Sequence, residues 1–331
     1  MWVRWNTVAL GALGIVLFAA CDEGAAAHCD SAGRCDAEET ISGGTLARCE
    51  VFETPTEVAR LPDALPETSG MVASRVHDRI VWMHNDSGDG ANVYGVDVTT
   101  GAVMAKLTLE GVRARDWEDL AIGACEDAAK SCIYVGDIGD NYAARADIQV
   151  LRFEEPAQLA SELTIDHVEV MRVRYADVAA VDAESLFVHG SDVYILSKEP
   201  GASTLYHAPF RAMVPVQTEE RQTMEPLLRL DFVGLGYRAF LATAADIHPS
   251  GSRILVRAYG RLLEFIGEDG DTPAQILSRT PRRLKTGFEL QSEAVAYYDG
   301  GFVHAAEGSN APLYFGRCAT NADAGSTRSG E

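Results

Sequence analysis

Acidic side chains recur along this sequence at one interval and in one setting. Glu67 in ETSGMVAS and Asp86 and Asp89 in HNDSGDG return 51 residues later as Glu118 in RDWEDLAIG and Asp137 and Asp140 in YVGDIGDN. Weaker copies carry Glu184 in DAESLF, Asp246 in AADIH and Glu293 in QSEAVAY, each followed by a second apolar run that ends near Glu199, Arg257 or Glu307. Carboxylates are hard oxygen ligands. On rigid turns they suit Ca²⁺, which accepts roughly six to eight oxygens from side chains, carbonyls and water. Gathered around one opening, they cannot all stay ionised unless something positive sits among them, because like charges raise one another's pKa. The competing use of the single acids is structural, as acceptors for backbone amides of neighbouring strands.

Three other polar residues belong to the same pattern. Lys198 in DVYILSKEP and Arg257 in RILVRAYG stand near the ends of second runs. There they could grip a phosphate or carboxylate bridged to a metal, or offset the acids as ion pairs. His84, just before the first DxGD turn, could serve as a general base or simply as a hydrogen-bonded structural histidine. Nucleophilic and nucleotide chemistry finds no support: the chain has no GxSxG, no HExxH and no Walker loop.

What must position these residues is a succession of short strands. A period of about fifty residues, built from short apolar runs and Gly/Asp turns, predicts an all-β fold and a single β-propeller. The first repeat reads as strands at 70–73, 80–84, 93–98 and 103–109, and the second at 119–122, 132–135, 148–153 and 168–175. The third gives 185–188, 193–196, 204–207 and 227–232, and the fourth 245–248, 254–258, 262–265 and 274–277. The fifth has only 294–297, 302–305 and 313–315, while strand-like material around 50–59 is left over, so an N-terminal strand is expected to complete the last blade. Five four-stranded blades is the count; six follows instead if 155–180 or 205–240 hides a divergent blade. In such a ring the starts of first strands and the ends of second strands share a face. One mouth is therefore expected to collect Glu67, Asp86, Asp89, Glu118, Asp137, Asp140, Asn141, Glu184, Glu199, Asp246, Glu293 and Glu307, with Glu67, Asp86, Asp89, Glu118, Asp137, Asp140, Glu184, Asp246 and Glu293 as the metal ligands.

At 331 residues and 47% hydrophobic, the chain can bury a large core in one domain. Its formal net charge of -21 argues against nucleic acid and favours cations or cationic ligands. Residues 1–20 read as a signal peptide, with Arg4 before an apolar stretch, and 21–48 as a flexible tether; the propeller is expected over 49–318 and a disordered tail over 319–331. Ala19, Ala20 and Cys21 resemble the bacterial lipobox, which implies lipidation of Cys21 and anchoring of the exported chain to a membrane of the cell envelope. Plain signal cleavage and a free secreted protein is the alternative. Six cysteines remain, an even number for an oxidising compartment. Local pairing is the expectation for Cys29 with Cys35 and for Cys125 with Cys132, leaving Cys49 and Cys318 to join the two ends of the domain. A monomer is expected.

ETSGMVAS, RDWEDLAIG, YVGDIGDN, DAESL and QSEAVAYY, spread over residues 60–316, resemble secreted bacterial β-propeller lipoproteins. More distantly they resemble the calcium-dependent propeller hydrolases: calcium-activated nucleotidases, phytase-like propellers and the gluconolactonase group. That resemblance implies a Ca²⁺ held by acids at the channel mouth, matched here by Glu67, Glu118, Glu184 and Glu293, which polarises a substrate oxygen and activates water. Two functions stand on this reading. One is a Ca²⁺-dependent hydrolase of phosphate esters or lactones. The other is a non-catalytic propeller that binds a small molecule, glycan or protein at the mouth, with Ca²⁺ as a structural plug. A pair of basic residues beside the metal would favour the first, and an apolar or aromatic surface the second.

Overall fold

A computed structural model describes residues 49–86, 88–212, 220–287, 289 and 291–319. Cys21, Cys29, Cys35, the expected signal peptide, the tether and residues 320–331 of the expected tail lie outside the described residues.

The described chain is all-β apart from one short helix, and its strands fall into runs of four that pair antiparallel with their sequence neighbours. β2 (Thr68–Ala73), β3 (Ile80–Asn85), β4 (Asn92–Asp97) and β5 (Val103–Leu109) form the first run. β6 (Trp117–Ala124), β7 (Ser131–Asp137), β8 (Ile148–Glu154) and β10 (Glu169–Tyr175) form the second. β11 (Ala183–His189), β12 (Asp192–Ser197), β13 (Ala202–Pro209) and β14 (Gln222–Asp231) make the third. β15 (Ala244–Ile247), β16 (Arg253–Ala258), β17 (Arg261–Ile266) and β18 (Arg282–Leu284) follow. β19 (Ser292–Tyr298), β20 (Gly301–Ala306) and β21 (Pro312–Gly316) end the series, and β1 (Thr56–Arg60) pairs antiparallel with β21, so the leftover N-terminal strand completes this last sheet.

The first strand of each run lies against the first strand of the next: β2 against β6, β6 against β11, β11 against β15, β15 against β19, and β19 back against β2. Apolar clusters fill the spaces between neighbouring sheets. Trp82 and Leu107 meet Leu120 and Leu151, Tyr134 and Ile148 meet Leu186 and Tyr206, and Phe187 and Leu205 meet Val256 and Phe265. Leu255 and Leu262 then meet Val295 and Phe302, while Val303 and Leu313 meet Met71 and Val96. Strands covered on both faces carry near-continuous apolar runs rather than strict alternation, as IVWMHN of β3 and RILVRA of β16 do. The layout is propeller-like.

Two features depart from expectation. Residues 274–277 are not a strand: Pro273–Leu277 forms helix α1, because Thr272 and Gln275 close a capping box and Pro273 sits at the first helical position, where its missing N–H costs nothing. The fourth strand of that sheet is β18 instead. An unforeseen short strand, β9 (Leu163–Ile165), pairs parallel with the edge of β5, and β10 pairs parallel with β14, tying two sheets together at their outer edges.

The cystine of Cys125 and Cys132 closes the turn between β6 and β7. Cys49 and Cys318 are bonded across 269 residues with Cα atoms 5.5 Å apart, beside a bridge between Phe52 and Cys318. A loop of this size restricts the unfolded chain enough to contribute on the order of 5 kcal/mol by the chain-entropy estimate.

Candidate functional site

Because every strand within a run is antiparallel to the next, the start of each first strand and the end of each second strand lie at the same end of the molecule. Four of the five first strands enter with the same device. The carbonyls of Glu67, Asp116, Asp182 and Gln291 accept hydrogen bonds from the amides of Asp86, Gly139, Lys198 and Glu307, and a bulge follows in each strand. A bulge turns one extra side chain out of the ladder. It lies between Thr68 and Met71 in β2 and occupies Glu118, Glu184 and Glu293 in the other three. β15 has no such bulge and brings no acid to this end.

The register corrects the sequence alignment. Thr68 corresponds to Trp117, 49 residues on, whereas Asn85 corresponds to Asp137, 52 residues on. Glu67 is therefore the counterpart of Asp116, and Ser69, not Glu67, stands where Glu118 does.

The groups brought together are Asp86, Asp116 and Glu118, whose nearest carboxylate oxygens all lie within 4.8 Å of one another. Glu118 is 4% exposed. Gly139 makes the approach possible, since a Cβ there would run into Glu118 Oε1 and the Asp116 carboxylate. Around this trio stand Glu67, Glu184, Glu293 and Glu307, whose charges act on it or on one another. Burial, followed by the charges of Asp116, Glu307 and Glu67, pushes the Asp86 carboxyl up to about 6. Burial, then Glu184, Asp86 and Asp116, holds Glu118 well above the ordinary carboxylate range. Glu184 rises to about 7, mainly through burial and against the pull of Lys198. Burial and its contact with Glu293 take Glu307 to about 8.

Arg145 acts on Asp116, and a second basic residue, Lys198, stands among the other acids. It is ion-paired to Glu184, and its Nζ donates to Tyr259 Oη at 3.3 Å; that hydroxyl in turn donates to Glu293 Oε1 at 3.1 Å. Asp86 Oδ1 and Glu184 Oε2 are nonetheless buried with no hydrogen-bond partner among the described residues. Such orphaned oxygens are costly unless a further donor or cation reaches them. The donor set, clustered carboxylates with raised proton affinity, fits a divalent hard cation such as Ca²⁺.

Other expected members have partners of their own. Asp89 accepts from Asn85 Nδ2, Asn92 Nδ2 and Tyr94 Oη, and so caps its own turn. Asp137 pairs with buried Arg145 at 2.8 Å, and Asp140 accepts from the amides of Ala144 and Arg145. The repeated DxGD is thus largely turn construction. Asp246 is set deeper along its strand, accepts from Tyr297 N at 2.7 Å and lines a cavity at the opposite end. His84 is buried edge-on to Trp117, with burial lowering its pKa to about 4. Arg257 is buried in an ion pair with Glu289, whose other oxygen meets His304 Nδ1 at 2.9 Å. Asp137, which accepts from the Asp116 amide, and Asp140 flank the trio at Asp116, whereas Asp246 lies at the other end. Asp116 was missing from the expected set; the RD of RDWED was the available signal.

No family model matches the chain, and no curated protein matches it in sequence. Among solved structures, it is similar to the PQQ-bound aldose sugar dehydrogenase of Streptomyces coelicolor, with 10% identity, 80% of this chain and 98% of that chain covered, and a TM-score of 0.43. A putative oxidoreductase (glucose dehydrogenase) of Thermus thermophilus gives 11%, 80%, 100% and 0.43. Hydrazine synthase of Kuenenia stuttgartiensis gives 14%, 74%, 58% and 0.35. Likenesses of this degree bear on neither ligand nor reaction.

Proposed function

We propose that the chain is an exported five-bladed propeller, closed by β1, whose acidic mouth binds a divalent cation, Ca²⁺ by the chemistry of its ligands, and through it a ligand or partner. Asp86, Asp116 and Glu118 hold the cation, with Glu67 and Glu184 within the same field. The observation that carries this reading is the trio of carboxylates with oxygens inside 4.8 Å, together with the orphaned oxygens of Asp86 and Glu184. The two described cystines support an oxidising compartment, in keeping with export, lipidation at Cys21 and a monomeric chain held at the cell envelope.

Binding is preferred to hydrolysis for a specific reason. Of the three residues expected to carry catalysis, His84 is fully buried against Trp117, Arg257 is buried in its pair with Glu289, and Lys198 is already paired with Glu184. Exposed apolar side chains, in contrast, collect on the connections of the same face: Tyr142, 93% exposed, with Val178, Val233, Leu235 and Tyr259. A charged centre with an apolar rim suits recognition of a surface or a ring-bearing ligand.

Thermal unfolding with and without Ca²⁺ tests the proposal. Ca²⁺ raises the Tm of the natural chain, and the change Asp86→Asn with Glu118→Gln abolishes that gain while the variant still unfolds cooperatively. An unchanged Ca²⁺ response in the double variant removes the site.

A further inference from the structure

The end of the molecule remote from the acids holds a cavity of about 260 Å³. It is built from turns between first and second strands of three sheets, at Ser74–Arg79, His248–Pro249 and Asp299–Gly301, with Ile122 from β6 as a fourth side. Apolar atoms make up most of its wall, Val72, Ile122, Ile247 and Pro249 contributing, while ionisable side chains of Arg75, Arg79, His248, Asp246 and others also line it. A concavity whose wall is mostly apolar by area and carries polar groups that fix orientation is the usual form of a small-molecule site.

Those polar groups have a definite sense. Arg75 donates through Nη2 to Ile122 O at 3.0 Å, and its guanidinium makes no ion pair among the described residues. Solvent reaches this side chain, yet protein surrounds it, as happens in a concavity, and burial lowers its pKa despite the charges of Asp246 and Glu155. His248 receives Ser250 N at its Nδ1, 3.1 Å away, so the neutral ring carries its proton on Nε2, which has no partner among the described residues. Burial lowers the pKa of this histidine to about 4, which keeps it neutral near pH 7. Asp246 is the acid deepest in the pocket; burial raises it to about 7, so it can offer a proton. Arg79 is engaged with Asp97 at 3.4 Å, while Asp78 and Asp299 stand exposed at the rim.

An unpaired guanidinium, a histidine N–H and an acid able to hold a proton all favour an anion at the centre, and the walls favour an apolar body attached to it. We propose that this cavity binds a small organic carboxylate with an aromatic or branched apolar body, its carboxylate on Arg75 and its body against Val72, Ile122, Ile247 and Pro249. The site is separate from the acidic mouth and does not depend on a cation there.

Calorimetric titration of the full chain, purified in detergent and kept in EGTA, tests this with benzoate, phenylacetate and 2-methylbutyrate as probes and benzyl alcohol as the uncharged comparison. At least one carboxylate is expected to bind saturably at one site, about tenfold or more tighter than benzyl alcohol. Arg75→Met is expected to weaken it by about tenfold or more, and Arg75→Lys, which keeps the charge but loses the planar fork, by less. The proposal is overturned if none of the three carboxylates binds, if benzyl alcohol binds as tightly, or if neither Arg75 variant changes the affinity. Because EGTA is present throughout, failure here leaves the Ca²⁺ reading of the mouth intact, and the converse also holds.

Discussion

At the scale of residues, the mouth is a set of acids that the fold holds partly protonated. Asp86 at about 6, Glu184 at about 7 and Glu307 at about 8 all lie above their values in an unfolded chain, chiefly through burial. The native state therefore binds more protons than the unfolded state across this range, and stability must fall as pH rises through it. Without a divalent cation, the Tm is expected to drop from pH 5 to pH 8.5, the loss starting above the ordinary carboxylate range and running through the three raised values. Saturating Ca²⁺ is expected to displace the protons of the mouth and make the drop smaller, the share of Asp246 at the other end remaining, and Ca²⁺ titrations in two buffers of different ionisation enthalpy should reveal protons released on binding. A Tm that rises with pH in EGTA would contradict the arrangement. Much of this was readable in the sequence: Asp86, Glu118, Glu184 and Glu293 were named from their spacing. Asp116 was not, because a constant offset of 51 matched Glu67 to Glu118 and left no role for the acid beside it.

Elements explain why the spacing misled. The distance between equivalent points is 49 residues on the first strands and 52 on the second, since turn lengths differ and bulges add residues to one strand only. Apolar runs such as CIYV in β7 and VYIL in β12 announced their strands plainly, but a bulge is a local backbone event with no apolar period to mark it. Helix α1 escaped for a related reason: PAQIL has the apolar content of a strand, and only the Thr272 to Gln275 capping pair tells otherwise. One element-scale consequence is testable. The loop after β7 approaches Glu118 and Asp116 through Gly139, where a methyl group has no room unless these carboxylates shift. Gly139→Ala is expected to reduce Ca²⁺ affinity by about tenfold, the change an ångström-scale displacement of one ligand produces, with a Tm in EGTA close to that of the natural chain. Unaltered affinity would place the cation away from Glu118.

For the molecule as a whole, the first strands bear the organisation. Asp119 shows how: buried among them, its Oδ2 accepts from Leu186 N and Ala245 N, so one β6 side chain joins two other sheets at their inner edges. Thr243 Oγ1 donates to Ser292 O and Ser69 Oγ to Glu118 O in the same way. A framework fixed at its centre lets the loops at one end gather carboxylates against their mutual repulsion, and leaves the other end free to form a cavity round Arg75. The repeat length and the leftover N-terminal strand made this architecture legible; the use of two ends was not, because Asp246 looks like its counterparts in sequence and differs only in depth. The most direct measurement is anomalous diffraction from crystals grown in Ca²⁺. A peak is expected at the mouth about 2.3–2.6 Å from oxygens of Asp86, Asp116 and Glu118. No peak among these three residues at saturating Ca²⁺, or one confined to the turns of Asp89 or Asp140, would contradict that placement.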